Sequence, residues 1–260
     1  MEIDNNLKIL RVKLQCNSKK IIEDIINRNV LLNDKDKKLN DEICLFCASL
    51  NDLTKEHVLP KWTFENCTTK FFVTDVNGSR QKYNKTTVPV CAECNNSLLG
   101  SIESHIISIL KGTDLSNSYY NGEQLQNIIR WLEIIEYKFQ LLEIRRRFNR
   151  AKSSEYIDYL KNIPISIMRE EITYSPSIAI SQIRLAQKRV TTKSKMKNLN
   201  SLVVFKTVNK HFHFFHHLDD FIFIELPNFG VALFYFYTRT FDDNEQAKNE
   251  ATKIIKRFYI

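Results

Sequence analysis

An α+β fold is predicted for this chain by three observations. Two Cys-x-x-Cys pairs, Cys44–Cys47 and Cys91–Cys94, bracket segments of extended character and lead into a helical repeat. From Asn121 onward, apolar residues recur at helical spacing. After Leu202, short runs rich in β-branched and aromatic residues alternate with turn signals, the pattern of antiparallel strands.

Taken in order, Leu10, Val12 and Leu14 alternate with Arg11, Lys13 and Gln15, which predicts a half-buried strand. Ile21, Ile22, Ile25 and Ile26 then predict a helix capped by Asn17 or Ser18. A lysine-rich linker, 33–41, follows. In the cysteine region, Phe71-Phe72-Val73 and Thr87-Val88-Pro89-Val90 flank Asn77-Gly78, predicting a reversal between extended segments. Leu98, Leu99, Ile102, Ile106, Ile109 and Leu110 predict a helix starting near Asn95.

Ile128, Trp131, Leu132, Ile135, Phe139 and Leu142 trace one face of a long helix that runs into Arg145-Arg146-Arg147, cations suited to a helix carboxyl end. A shorter helix, 155–161, stops before Pro164. The segments 202–207, 211–217, 221–226 and 231–239 predict a meander, with a reversal at Pro227-Asn228-Phe229-Gly230. Asp242 or Asp243 caps a final helix whose Ala247, Ala251, Ile254 and Ile255 face inward. Three divisions are expected: an extension over 1–40, a cysteine module over 41–112, and a carboxyl-terminal α+β domain over 113–260.

Composition bounds the function. The 260 residues are 43% hydrophobic and 26% charged, the balance of a globular protein and not of a disordered one. The amino terminus lacks the basic and apolar regions of a signal peptide. Apolar runs such as 229–237 fall short of the roughly 20 residues a membrane span needs, so a cytoplasmic location and no membrane partner are expected. Six cysteines are too few for a disulfide scaffold, and four of them stand in the two pairs, which favours metal. Cys16 and Cys67 are left over; packing as small apolar side chains is the reading preferred to joining the metal site.

Net charge is +8, and no Asp or Glu occurs from Ile172 to Leu218. That stretch holds Arg184, Lys188, Arg189, Lys193, Lys195, Lys197, Lys206 and Lys210. Such a region attracts a polyanion, and nucleic acid by counterion release. Arg184, Lys188, Arg189, Lys193, Lys195 and Lys197, with Lys61 directly after Pro60, are the expected nucleic-acid contacts.

Cys44, Cys47, Cys91 and Cys94 suit one tetrahedral structural Zn²⁺. Related sites join knuckles about 15 to 20 residues apart, whereas 43 residues separate Cys47 from Cys91. The insert contains Glu56-His57-Val58-Leu59-Pro60, and the second pair runs directly into Asn95-Asn96. In combination these residues resemble the HNH or His-Me finger (ββα-metal) endonucleases, specifically the zinc-stapled branch with Glu-His-Val-x-Pro and Cys-x-x-Cys-Asn. The resemblance covers 44–103, about a quarter of the chain.

The resemblance implies a metal-dependent endonuclease that hydrolyses phosphodiesters, in double-stranded DNA before RNA, in the setting of restriction or phage defence. By matching position it assigns His57 as general base, and Glu56 and Asn95 as oxygen ligands of a catalytic Mg²⁺ or Mn²⁺. Asn96 and Glu103, two helical turns apart, are further candidates near that metal. The family's base-orienting Asn or His is replaced by Thr86, with Asn84 nearby. A second copy of the chain or a defence-system protein is the implied protein partner. The competing reading is a noncatalytic zinc module that binds nucleic acid or protein.

His211, His213 and His217 share one face of an ideal strand, but no cysteine or carboxylate precedes them at ligand spacing. A sheet with aromatics on one face and histidines toward solvent or nucleic acid is expected there.

Overall fold

The computed structural model describes residues 2–26, 42–65, 71–73, 80–82, 86–112, 120–154 and 176–258. Its helices are α1 (Glu2–Ile26), α2 (Lys61–Phe64), α3 (Gly100–Gly112), α4 (Gly122–Ser154), α5 (Pro176–Thr191) and α6 (Asn244–Phe258). Its strands are β1 (Leu53–His57), β2 (Phe71–Val73), β3 (Arg80–Lys82), β4 (Thr87–Cys91), β5 (Leu202–Lys206), β6 (His213–His217), β7 (Phe221–Leu226) and β8 (Val231–Phe236). Helices and antiparallel sheets make this an α+β protein. No helix among the described residues is long and apolar enough to cross a membrane.

The chain divides into two compact units. One comprises Met1–Glu56, Thr87–Gly100 and Tyr137–Thr191; the other comprises His57–Thr86, Ser101–Glu136 and Thr192–Ile260.

In the first unit, α1 packs on α5. The strand expected around Leu10 is instead part of α1. Leu7, Leu10 and Leu14 are buried one turn apart while Val12 is 49% exposed, so the three- and four-residue spacing overrides the alternation. Asn17 and Ser18 therefore cap nothing: Asn17 bonds back to the Lys13 carbonyl at 2.8 Å, and Ser18 Oγ donates to Gln187 Oε1 of α5 at 2.6 Å. On α5, Ala179, Ile183, Ala186 and Val190 are buried at helical spacing.

Helix α4 opens on a reciprocal capping box. The Gln124 backbone N–H donates to Asn121 Oδ1, and the Asn121 N–H to Gln124 Oε1, each at 2.9 Å. Its apolar face was expected to be a single stripe, but every residue from Trp131 to Ile144 is buried, charged ones included. The helix also continues past Arg145-Arg146-Arg147 to Ser154, so these cations do not mark its carboxyl end.

In the second unit the four-stranded sheet has the order β5-β8-β7-β6, all neighbours antiparallel. Only β6 to β8 meander; β5 joins at the far edge, beside β8. One face carries Val203, Phe215, Phe221, Phe223, Phe234 and Phe236, packed on Ala247 and Ala251 of α6. On the other face Tyr235 donates to Glu133 of α4 at 3.0 Å. Covered on both faces, β7 and β8 are buried throughout. Helix α6 is capped by Asp243, whose Oδ1 accepts the Gln246 N–H at 2.8 Å. At the β7–β8 reversal, Gly230 takes a φ of 63°, the left-handed conformation that favours glycine there.

Histidine 216 departs from the expected solvent-facing arrangement. It is buried, and burial, with His217 second, pushes its imidazole down to about 3, holding it neutral.

Candidate metal centre

The first knuckle is a tight turn after Ile43. The Ala48 N–H donates to the Cys44 carbonyl and the Cys44 N–H to the Ser49 carbonyl, both at 2.8 Å. Ala48 adopts a φ of 55°, a left-handed conformation costly for an alanine, which reverses the chain toward β1. The Leu45 N–H reaches the Pro89 carbonyl of β4 at 3.2 Å, so the knuckle is docked on the strand that delivers Cys91.

Strands β1 and β4 are neighbours. The Ala92 N–H bonds to Asp52 and the Val58 N–H to Thr86, so the partner number falls as the chain advances and the pair is antiparallel. Segment Phe71–Val73, expected opposite 87–90, pairs instead with Arg80–Lys82; Asn77-Gly78 lies outside the described residues. Beyond Cys91 the chain does turn helical, but Glu93–Leu99 is wound as a π-helix before α3 begins. The Gly100 N–H bonding to the Asn95 carbonyl is the five-residue closure of that winding. Leu98, Leu99, Ile102, Ile106, Ile109 and Leu110 are all buried, as their spacing predicted.

These elements bring Cys44, Cys47, Cys91 and Cys94 together, their sulfurs all within 4.8 Å of one another and Cys47 Sγ 3.5 Å from Cys91 Sγ. A tetrahedron of Zn–S bonds has sulfurs about 3.8 Å apart, so the set fits zinc with small adjustments. Cys44 is drawn down to about 5, first by the Cys94 thiol donating to it, with the backbone N–H groups of Cys91, Phe46 and Cys47 assisting against burial. Cys94 is pushed up because it holds that shared proton, and Cys47 is pushed up to about 12 by burial. Four thiolates at this density require a cation to be stable together.

Lys13 of α1 stands beside this cluster, 2.6 Å from Glu93 Oε2. Burial opposes its charge, but the Glu93 bond and the negative field of Cys94 and Cys47 outweigh that and raise its pKa. Sequence reasoning placed Lys13 on a strand and so missed it. Cys16 is exposed on α1, outside the four-sulfur group and not packed as an apolar side chain. Cys67 lies outside the described residues.

The oxygen donors assigned to a catalytic ion are differently engaged. Glu56 is 8% exposed, and its Oε1 lies 2.7 Å from Nζ of the buried Lys138 on α4. Asn95, half-buried, donates from Nδ2 to Thr54 Oγ1 at 2.8 Å, and Thr54 in turn donates to the Val90 carbonyl. Thr54 and Glu56 share one face of β1, so Asn95 reaches the strand face that carries Glu56. With an ammonium already on Glu56, the residues as folded do not fit a divalent ion there unless Lys138 gives way. Lys138 was missed although its position is a signal: it continues the Trp131, Ile135, Leu142 stripe, and a lysine on a buried stripe demands an acid.

His57 ends β1, is half-buried and belongs to the second unit, as does the half-buried Glu103; Asn96 is exposed in the first. Thr86 is buried, and its carbonyl accepts the Val58 N–H at 3.0 Å; Asn84 lies outside the described residues.

Of the expected nucleic-acid contacts, Lys61, Arg184, Lys188, Lys193 and Lys197 are exposed and Arg189 is half-buried. Lys195 is a correction: it is 1% exposed, and its ammonium pairs with buried Glu133 of α4, so it is unavailable to a phosphate. Its neighbours are strapped down too, Arg130 donating to the Lys193 carbonyl at 2.9 Å and the Lys195 N–H to Gln126 Oε1 at 3.1 Å. Among the described residues the four cysteines form the one group suited to a metal, and the histidines of β6 form none. Comparison with protein-family models, with curated proteins and with solved structures found no match to this chain.

Proposed function

We propose that the chain is a metal-stapled phosphodiester hydrolase of the ββα type acting on nucleic acid, with His57 as general base. The observation that supports this most is the antiparallel β1–β4 pair leading into a helix, with a four-sulfur cluster fastening the knuckle before β1 to the start of that helix. A plain zinc ribbon has no need of the Asn95 amide bonded across to β1, nor of the long insert between the knuckles.

In this reading the four cysteines hold Zn²⁺ and do no chemistry. Neutral His57 takes a proton from water, and the resulting hydroxide attacks phosphorus. The bond from phosphorus to the 3′ oxygen breaks, and the departing oxygen takes a proton from a second water, leaving a 3′ hydroxyl and a 5′ phosphate. A divalent ion held by Asn95 and Glu56, with Lys138 displaced from the carboxylate, would neutralise phosphate charge. Asn95 and Glu56 are the donors this chain offers, in competition with Lys138.

The Glu56–Lys138 pair favours a second reading, in which the module is noncatalytic and orders a nucleic-acid-binding surface. Supercoiled plasmid incubated with Mg²⁺ or Mn²⁺ separates the two. Nicking by the wild type and its loss in a His57→Ala variant that retains zinc are expected. Equal nicking by both proteins would remove His57 from the mechanism; DNA binding without nicking by either would establish the noncatalytic reading.

A further inference from the structure

In the second unit, the connection from β5 to β6 is braced from inside by one buried carboxylate. Glu225 of β7 is 5% exposed. Its Oε1 accepts the Thr207 hydroxyl; its Oε2 accepts Asn209 Nδ2 at 3.2 Å and lies 2.7 Å from His213 Nδ1. Two further bonds fold the loop on itself, from the Asn209 N–H to Thr207 Oγ1 and from the His211 N–H to Asn209 Oδ1, each at 3.1 Å. The Thr207 N–H is tied to the Gly230 carbonyl at 3.0 Å.

Turning Thr207, Asn209 and His213 inward leaves the alternate residues outside. Lys206, Val208, Lys210 and His211 are exposed, Val208 completely. Neither lysine has an acidic partner among the described residues, and no acidic residue occurs from Ile172 to Leu218. A fixed backbone that presents two unpaired cations around an apolar side chain lowers the ordering cost of binding a polyanion. A sheet end built only for stability has no use for a fully exposed valine between lysines.

We propose that the 206–211 loop is a DNA-contacting element, with Lys206 and Lys210 on backbone phosphates and Val208 against the sugars between them. Glu225 is its positioning residue. The inference rests on the reading that the chain acts on nucleic acid, and adds a contact region apart from Lys61 and the cations of 184–197.

The test is fluorescence anisotropy of a labelled DNA duplex titrated with the full zinc-loaded chain over a series of salt concentrations. A Lys206→Gln/Lys210→Gln variant is compared with wild type and with a Lys248→Gln/Lys256→Gln variant, which removes the same charge from exposed positions on α6. Loss of two phosphate contacts is expected to shift the slope of log K against log salt by about 1.8 and to weaken binding tenfold or more, with little change in the α6 control. Wild-type binding with an unchanged slope in the loop variant, or with equal losses in both variants, would overturn the loop assignment alone. Absence of duplex binding by the wild type would overturn both this inference and the nucleic-acid reading beneath it.

Discussion

Strands β1 and β4 form a two-stranded ladder beside four cysteines, whereas β5 to β8 form a four-stranded sheet whose central strands β7 and β8 are buried throughout. A two-stranded pair is marginal in water, because it buries too little apolar surface to offset the ordering of its backbone. The larger sheet has that surface. Phe215, Phe223 and Phe258 stack with centroids 4.5 and 4.4 Å apart, and Phe221 stacks on Phe234 at 5.1 Å. One region gathers four thiols suited to a metal and the other relies on aromatic burial, and the difference can be broken experimentally from either side.

The largest effect is expected at the sulfurs. Cys91→Ser should reduce zinc content well below one ion per chain and release up to about 10 kcal/mol of apparent metal-coupled folding energy. Hydrogen exchange should show the Leu45 and Ala92 amides losing protection while those of β7 and β8 keep theirs. Retained protection at Leu45 and Ala92 after metal loss would mean that the ladder stands without its staple.

Next comes the ion pair behind β1. Lys138→Met leaves Glu56 buried and unpaired, at a cost of about 3 to 5 kcal/mol in denaturant unfolding, and adding Glu56→Gln should recover most of it. If Glu56 also serves a divalent cation, Mg²⁺ should raise the melting temperature of Lys138→Met more than that of wild type. An equal response would separate Glu56 from metal binding.

The effect that is smallest at neutral pH concerns the sheet. In the unfolded chain His216 titrates near 6.5, but in the fold only near 3. The unfolded state therefore binds the extra proton between these values. The contribution is complete above about pH 6.5 and falls by about 1.4 kcal/mol per unit as pH drops toward 3. His216→Leu should flatten the pH dependence by one proton over that window; unchanged slopes would mean that His216 is protonated in the native sheet.

Local patterns were legible where one periodicity had no competitor. Ala247 and Ala251 face inward as their spacing implied, and Asp243 caps α6 because a carboxylate one turn ahead of an apolar repeat has a single favourable use. Leu10, Val12 and Leu14 misled because leucines four apart satisfy both a strand and a helix, and the decision came from packing of α1 on α5. The extended character of Phe71–Val73 was legible, but nothing local said that it would pair with Arg80–Lys82 while Thr87–Cys91 paired with β1.

By itself the sequence determined the four cysteines that gather into one group suited to a metal, the helical and extended segments around them, and the excess of cations between Ile172 and Leu218. Tertiary structure alone decided what the charges do. Lys138 pairs with a glutamate 82 positions away, Lys195 is buried on Glu133, and Lys206 and Lys210 stay in solvent because Glu225 draws their neighbours inward. A charged side chain is stable in the interior only with a partner, and that partner is supplied by the fold and not by its neighbours along the chain.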